Sequence, residues 1–168
     1  MSSRVGFHGG SSIFELGNPA DVAFFFRCIE CFVVQKSPAA DWSIVSDRLY
    51  KRYLRQEELE VAIRLMKSVQ EVFGSLPGIA PLNENSLIDE AGKTRLNWSL
   101  PTLSDVFCKY FEGLAYCVES ANGFLTDWAL YKPVRIVKTD LPDFAADKKR
   151  SLAEYDGLGP DESPFWMR

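Results

Sequence analysis

The sequence predicts an α+β fold in which a small, mostly antiparallel sheet packs against three or four helices. Three observations lead to this prediction: a strand hairpin near the start, three segments with apolar residues at helical spacing, and a late segment in which apolar and basic residues alternate. The 168 residues fit one domain. We expect residues 1–140 to form that domain, with 141–168 as a partly ordered C-terminal extension.

The predicted sheet begins with two short strands, Val5–Phe7 and Ser12–Leu16, on either side of the turn-like pair Gly9 and Gly10. A helix follows at Asn18–Asp21, where an N-cap, a proline at the first helical position and an acid in the first turn come in order. Because this helix is apolar on most of its surface, we expect it to lie at the centre of the core.

Three further helices are expected after the first one, which should run to about Gln35. A brief helix is predicted within Ser43–Leu54, and a long amphipathic helix over Gln56–Leu76. The last of the three opens with a capping box at Thr102–Asp105 and is expected to close at Asn122–Gly123.

The remaining segments carry weaker patterns. Ser86–Asp89 and Thr94–Trp98 predict a hairpin, Val134–Lys138 a half-exposed strand, and Asp143–Tyr155 a surface helix. The final segment is rich in Gly, Pro and Asp and is expected to be loosely held. Its apolar Phe165–Met167 is the exception, because such apolar bulk usually packs against something.

The composition argues against several classes of function. The net charge of −4 and the isoelectric point near 5.1 disfavour a nucleic-acid or anionic-membrane binder and suit a basic protein partner. The most apolar run, Val22–Val34, carries Arg27 and Glu30 and is shorter than the roughly 20 residues of a membrane span. Because no apolar leader pattern is visible near the start, we expect a soluble cytoplasmic protein.

The four cysteines, Cys28, Cys31, Cys108 and Cys117, raise the question of a metal or redox site, since Cys-x-x-Cys spacing can present two thiolates to one metal. Here that pair lies inside a helical pattern, and Cys108 and Cys117 fall on opposite faces of another predicted helix. We therefore expect four free, buried thiols, with no metal and no cofactor.

Few residues are candidates for catalysis. His8 is the only histidine, no Gly-x-Ser-x-Gly elbow accompanies it, and no phosphate-binding loop follows the nearby glycines. We expect His8 to be a strand-end or turn residue and expect no catalytic residues. The four tryptophans, Trp42, Trp98, Trp128 and Trp166, fall near predicted loops or element ends, as plugs over the core or as anchors at an interface rim.

Several short motifs follow one another in a recognisable order. They are Val5-Gly6-Phe7, Leu16-Gly17, Phe25-Phe26-x-x-Ile29, Trp42, Leu49-Tyr50, Leu59–Phe73, Asp105-Val106-Phe107, Phe111 and Val134–Val137. In this order the motifs resemble immunity protein family 70, a group of bacterial polymorphic-toxin immunity proteins. The resemblance covers residues 5–75 and, with less specificity, 98–138. The sequence departs from the family at Trp42–Asp47, where the family has Trp-Gly-x-x-Tyr-Pro.

This resemblance implies that the protein binds the toxic C-terminal domain of a cognate toxin, often a nuclease, as in contact-dependent growth inhibition. It implies stoichiometric inhibition by protein–protein contact, without catalysis. An acidic inhibitor would face a basic active-site cleft, and a few desolvated anchors would hold the complex. We predict an acidic and aromatic contact surface made of Asp41, Trp42, Glu57, Glu58, Asp89 and Glu90.

Two alternatives stay open at this point. One is a non-catalytic adaptor or structural subunit of a cytosolic assembly, in which Phe165–Met167 serves as a docking peptide. The other is a hydrolase or metal enzyme that uses His8 or the cysteines.

Overall fold

The computed structural model describes residues 3–168, so the first two residues of the predicted 1–140 domain lie outside the described part. Four strands form one antiparallel sheet in the spatial order β2-β1-β4-β3. Helices pack against this sheet in a single α+β domain, which confirms the predicted fold class. The strands are β1 (Val5–Gly9), β2 (Ser12–Gly17), β3 (Tyr53–Leu54) and β4 (Val134–Lys138).

The described residues contain seven α-helices and several single helical turns. Short 3₁₀ turns occur at Val34–Lys36, Gln56–Glu58, Ala80–Asn83 and Phe165–Met167, and a π-helical turn at Ile44–Leu49. The α-helices are α1 (Pro19–Phe32), α2 (Leu59–Gly74), α3 (Ile88–Ala91), α4 (Leu103–Val106), α5 (Cys108–Trp128), α6 (Leu141–Lys149) and α7 (Leu152–Asp156).

The N-terminal hairpin and the helix after it form as predicted. Gly9 pairs with Ser12 across the turn, and Gly10 has the positive φ of 57° that favours glycine. The Asn18 Oδ1 accepts a hydrogen bond from the backbone N of Asp21 at 2.8 Å, which caps α1. The local sequence therefore determines where β1, β2 and α1 begin, whereas β1 continues to Gly9 and α1 ends at Phe32, before the expected Gln35.

Helices α1 and α5 pack against one face of the sheet, and α2 packs against both of these helices, to form the main core. The ring of Phe25 on α1 lies at its centre, with ring centroids of its neighbours 4.7 to 6.2 Å away. Each such aromatic pair adds about 0.5–1.5 kcal/mol to the stabilisation from buried area. The neighbours are Phe26, Phe73, Phe107, Tyr110 and Phe111.

Residues 141–168 cover the other face of the sheet at β1, β3 and β4 but leave Ile13 and Glu15 of β2 exposed. The ring of Phe144 on α6 contacts that of His8 on β1 at 5.5 Å, and the ring of Tyr155 on α7 contacts that of Tyr53 on β3 at 6.2 Å. The expectation that Val134–Lys138 is half exposed is therefore wrong, because both faces of β4 are buried. The side chain of Trp166 is also buried, as expected for an apolar segment that packs against the domain.

The hairpin predicted for residues 86–98 is wrong. Residues Ile88–Ala91 form one helical turn, because Leu87 and Ala91 are both buried at i,i+4 spacing. The backbone N of Arg95 donates to the Oδ1 of Asp21 at 2.9 Å, so this segment is bonded to α1 and not to a second strand.

Two predicted boundaries are also corrected. The brief helix expected within Ser43–Leu54 is a π-helical turn followed by β3. Helix α5 continues through Asn122–Gly123 and ends at Trp128, with a left-handed Ala129 (φ 52°) after it. Gly123 is tolerated because a glycine inside a helix costs only about 1 kcal/mol, which tertiary packing offsets.

Candidate functional site

The six residues predicted to contact a toxin occupy different environments. Asp41 is exposed and accepts a hydrogen bond from the Ser43 hydroxyl at 2.5 Å. Trp42 is only 6 % exposed, and its Nε1 donates to the Ser37 carbonyl at 2.6 Å. Trp42 is therefore a plug over the core, the first of the two roles that the sequence left open for the tryptophans.

The two glutamates predicted as contacts just before α2, Glu57 and Glu58, lie in different environments. Glu57 is exposed, whereas Glu58 accepts a hydrogen bond from the backbone N of Arg55 at 2.7 Å. Glu58 also lies 3.4 Å from the Nε of Arg48, and both side chains are mostly covered. Glu58 therefore serves as a local cap and ion-pair partner, and only Glu57 of this pair is presented to solvent.

Asp89 and Glu90 lie on α3 and are both exposed. Glu90 pairs with Arg27 of α1 at 3.4 Å, with both side chains about half exposed. Among the described hydrogen bonds and ion pairs, the six predicted residues share no neighbour. Their contacts do not join them into one surface.

A groove between α2 and α5 has a volume of about 720 Å³. We name it the α2–α5 groove. Its residues recur three or four positions apart on each helix, so each helix contributes one face. Apolar side chains line it on both helices, and Glu60, Lys67 and Glu119 are exposed at its sides. The apolar lining comprises Leu59, Ile63, Ala115, Val118 and Leu125, and Gln56 and Asn122 complete it.

An exposed apolar surface continues from the end of this groove. Trp128 follows Leu125 by three positions on α5, so the two side chains are neighbours on one face. Trp128 is 73 % exposed, and Leu130 after it is 51 % exposed. Large exposed aromatic side chains are the residues most enriched among the strong contacts of protein interfaces.

Sequence reasoning missed the main residues of this surface. Glu60, Glu119 and Trp128 are not among the predicted contacts. The apolar stripes beside them, which include Ile63 and Val118, are typical of core positions and do not indicate a binding surface. Because the sequence predicts that helix α5 ends at Asn122–Gly123, Trp128 is not expected to lie on it. The usable signal was the i,i+3 spacing of Leu125 and Trp128, which extends the apolar stripe by one turn.

His8 lies on β1 next to its last residue, Gly9, as expected for a residue near a strand end. Burial, and after it the nearby cations Arg135, Lys148 and Lys132, together lower the pKa of His8 from its usual value to about 4. The imidazole is therefore neutral at pH 7. Its buried Nδ1 has no hydrogen-bond partner among the described residues, so no carboxylate orients the ring through this atom as in a catalytic triad.

The cysteines are less uniform than predicted. Cys28 and Cys117 are buried and Cys31 is half-buried, but Cys108 is exposed at the first position of α5. The expectation of four buried thiols is therefore wrong for Cys108. Burial raises the pKa of Cys117 to about 12 and that of Cys28 well above its usual value, so these two thiols stay protonated.

Residues 3–168 contain no group of three or more His, Cys, Asp or Glu side chains placed to hold a metal ion. Within the same residues, no helix combines the length and apolar character needed to cross a membrane.

Comparison of the chain with known protein families, with curated proteins and with solved structures finds no match. The α2–α5 groove and the charge of the surface are the structural features that bear on function.

Proposed function

We propose that this protein is an immunity protein that binds a cognate bacterial toxin domain in the cytoplasm and inhibits it stoichiometrically, without catalysis. The observation that carries the proposal is the α2–α5 groove, which combines an apolar lining with exposed glutamates and continues into an exposed tryptophan. This is the chemistry of a protein-binding surface: apolar anchors in the centre and charged groups at the rim.

The shape of this surface favours a protein over a small molecule. The groove is open along two helices, and Trp128 and Leu130 extend its apolar area beyond the concave part. A small ligand is usually enclosed on most sides, whereas a protein partner covers a broad surface around one or two inserted side chains. Trp128 is the expected anchor, because its indole is large, rigid and already exposed.

The charges favour a basic partner. Glu60 and Glu119 border the groove, Glu57 lies near its α2 end, and Lys67 is the one cation among its lining residues. The whole chain carries a net charge of −4. An acidic rim speeds encounter with a basic surface, and the cleft of a nuclease toxin is such a surface because it binds a polyanion.

The resemblance to immunity protein family 70 supports the same proposal. Its motifs at Leu59–Phe73 and Phe111 fall on α2 and α5, the two helices that build the groove. The proposed inhibitory surface therefore lies on two helices that the resemblance includes.

The decisive experiment uses the neighbouring gene. The toxin fragment to express is the roughly 150–250 C-terminal residues encoded immediately upstream, a length typical of one domain. Growth and complex formation are scored with and without this protein. We expect the fragment to stop growth and this protein to restore it by forming an equimolar complex. A harmless fragment, or one that kills regardless, would overturn the proposal and favour the adaptor alternative.

The groove is tested by matched charge reversals. Glu119→Arg places a cation at the rim and is expected to weaken toxin binding about tenfold, since like charges at an interface repel. Glu84→Arg makes the same change at an exposed glutamate outside the groove and should leave binding within about twofold. Equal effects of the two substitutions would exclude the groove as the contact surface.

Truncation of the proposed anchor gives a second, independent test. Trp128→Ala removes an exposed ring, so the fold should be kept while affinity falls by about 2 kcal/mol or more. Unchanged affinity of this variant for the toxin would show that the contact lies elsewhere.

A further inference from the structure

A second concave feature lies at one end of the sheet, on the face that residues 141–168 cover. It has a volume of about 400 Å³, within the range of small-molecule sites. We name it the basic pocket. Its polar lining comprises His8, Ser11, Lys132, Arg135 and Lys148, and its larger apolar lining residues are Ile13, Pro133 and Phe144.

The pocket is assembled by the register of the sheet. His8 of β1 lies directly opposite Ile13 of β2 on one side and Arg135 of β4 on the other. Side chains at directly opposed positions of an antiparallel pair share a face and lie within contact distance. The three strands therefore place an apolar, an aromatic and a cationic side chain in one row beneath the pocket.

Arg135 is a covered cation that has no carboxylate partner among the described residues. It is only 6 % exposed, and its Nε has no hydrogen-bond partner among the described residues. No carboxylate of the described residues forms an ion pair with it. Its guanidinium carbon lies 5.3 Å from the centroid of the Tyr155 ring, which stabilises a cation but supplies no counter-charge. A covered arginine without an anion is costly, so the site is incomplete as the chain alone builds it.

The buried carboxylate of Asp147 has other partners than Arg135. Asp147 of α6 is 4 % exposed, and its Oδ2 accepts a hydrogen bond from the backbone N of Lys138 at 2.9 Å. Its Oδ1 pairs with Arg150 at 3.3 Å. Asp147 therefore neutralises Arg150 and leaves Arg135 for a ligand.

The remaining polar groups point to the charge of that ligand. Arg135, Lys132 and Lys148 supply three cations, and no Asp or Glu lines the pocket. The unpartnered Nδ1 of His8 adds one further hydrogen-bonding atom. Three cations without a carboxylate favour a ligand with two negative charges, such as a phosphate monoester, over a carboxylate with one.

We propose that the basic pocket binds a phosphate group; where a small organic molecule carries this group, its other atoms pack against Ile13 and Phe144. Arg135 contacts the phosphate oxygens from the floor, and Lys132 and Lys148 contact them from the sides. The pocket and the α2–α5 groove share no residues, so each site can be tested without the other.

The experiment titrates the full chain with three probes: phenyl phosphate, inorganic phosphate and benzoate. His8 is the only histidine, so its imidazole resonances report on the pocket without ambiguity. We expect both phosphates to shift these resonances in a saturable way, with phenyl phosphate binding more tightly than benzoate by about tenfold. Equal affinity for the two phosphates would identify free phosphate as the natural source of the group, and tighter binding of phenyl phosphate an organic one. Absence of a shift with either phosphate, or benzoate binding as tightly as phenyl phosphate, would overturn the proposal.

Two neighbouring lysines provide the matched variants. Lys148→Glu reverses a charge in the pocket, and Lys149→Glu makes the same change one position along α6, outside it; both residues are exposed, so folding is not at risk. Lys148→Glu is expected to weaken phosphate binding by about fivefold or more, and Lys149→Glu by less than about twofold. Arg135→Gln, once shown to be folded, should abolish saturation. Equal effects of the two lysine variants would contradict the assigned site.

Discussion

The indole Nε1 of Trp166 donates a hydrogen bond of 2.8 Å to the backbone carbonyl of Tyr50, and the two aromatic rings meet edge to face at 5.5 Å. This contact joins the last helical turn of the chain to the residue after the π-helical turn. Arg52 adds hydrogen bonds to the carbonyls of Tyr155 and Leu158 at 2.7 and 2.9 Å. The segment that covers the second face of the sheet is thus fastened by specific groups.

Trp166→Ala should destabilise the protein by about 3–5 kcal/mol, because it removes a buried ring and leaves a cavity. Trp128→Ala is the matched control: the same side chain is lost from a position that is 73 % exposed, so the change should stay within about 0.5 kcal/mol. Urea unfolding of both variants measures the difference. Equal stability of the two would mean that residues 141–168 contribute little to the fold.

Two glycines of α5 should respond to alanine in opposite directions. A Cβ at Gly113 would lie 2.5 Å from the Cδ1 of Phe14, so Gly113→Ala must displace that ring at a cost of about 1–3 kcal/mol. A Cβ at Gly123 meets no atom within 4 Å, and Gly123→Ala should stabilise the helix by about 0.5–1 kcal/mol. Thermal unfolding of the pair checks both signs. Destabilisation by Gly123→Ala would indicate that α5 stops there, as the sequence suggested.

The titration of His8 should make stability depend on pH between about 6.5 and 4. In the unfolded chain the imidazole takes its proton near pH 6.5, but the folded state lowers its pKa to about 4. Over that window the unfolded state holds more protons, so the free energy of unfolding falls as the pH falls. The contribution is about 1–2 kcal/mol after allowance for partial exposure of the ring.

His8→Gln provides the reference for this effect, because the carboxylates titrate in both proteins and cancel in the difference. The imidazole resonances should titrate near pH 4 in the native protein and nearer the usual value in Arg135→Gln, which removes one repelling cation. A native midpoint near 6.5 would contradict the buried, cation-flanked position of the ring.

The cysteines should differ in reactivity. Cys108 is exposed and is expected to react with a thiol reagent such as iodoacetamide in the native state. Cys28 and Cys117 are buried with raised pKa values and should react only after unfolding. Mass spectrometry of peptides labelled with and without urea distinguishes them, and native labelling of Cys117 would mean that α5 does not pack on the hairpin as described.

Asp21 links α1 to the segment before α4, and its removal should destabilise that segment. Asp21→Ala leaves the backbone N of Arg95 without its 2.9 Å acceptor in a covered site, which should cost about 1–3 kcal/mol. Asp21→Asn keeps an acceptor oxygen and should cost less than half of that. Urea unfolding compares the two, and amide exchange at Arg95 locates the effect. Equal losses would mean that the negative charge, and not the hydrogen bond, is what matters.

Local signals were sufficient for much of the fold. The Gly9–Gly10 turn, the Asn18 cap and the apolar stripe of α2 are each encoded within a few residues, and the structure has them where they were expected. The capping box at Thr102–Asp105 is also present, with reciprocal hydrogen bonds. These features follow from backbone geometry that neighbouring side chains determine.

Features that depend on distant segments were not predictable in the same way. The alternation of Val134–Lys138 is typical of a half-exposed strand, and nothing local indicates that Phe144 and Tyr155 cover its second face. The charge of Glu58 predicts a contact with the partner protein. Its ion pair with Arg48 can be recognised only in the three-dimensional structure. Likewise, the sequence marks Ile63 and Val118 as apolar without telling that Ile63 stays partly exposed whereas Val118 is buried.

The order of the strands has a consequence for how the protein folds. β1 lies between β2 and β4, and Val5 pairs with Lys138, so one edge of the early hairpin has no partner until almost the whole domain has been made. Such long-range pairing slows folding, and an open strand edge can recruit the same edge of another copy. We therefore expect rapid overproduction to yield insoluble protein, and slower synthesis or more chaperone to shift the product toward the native form.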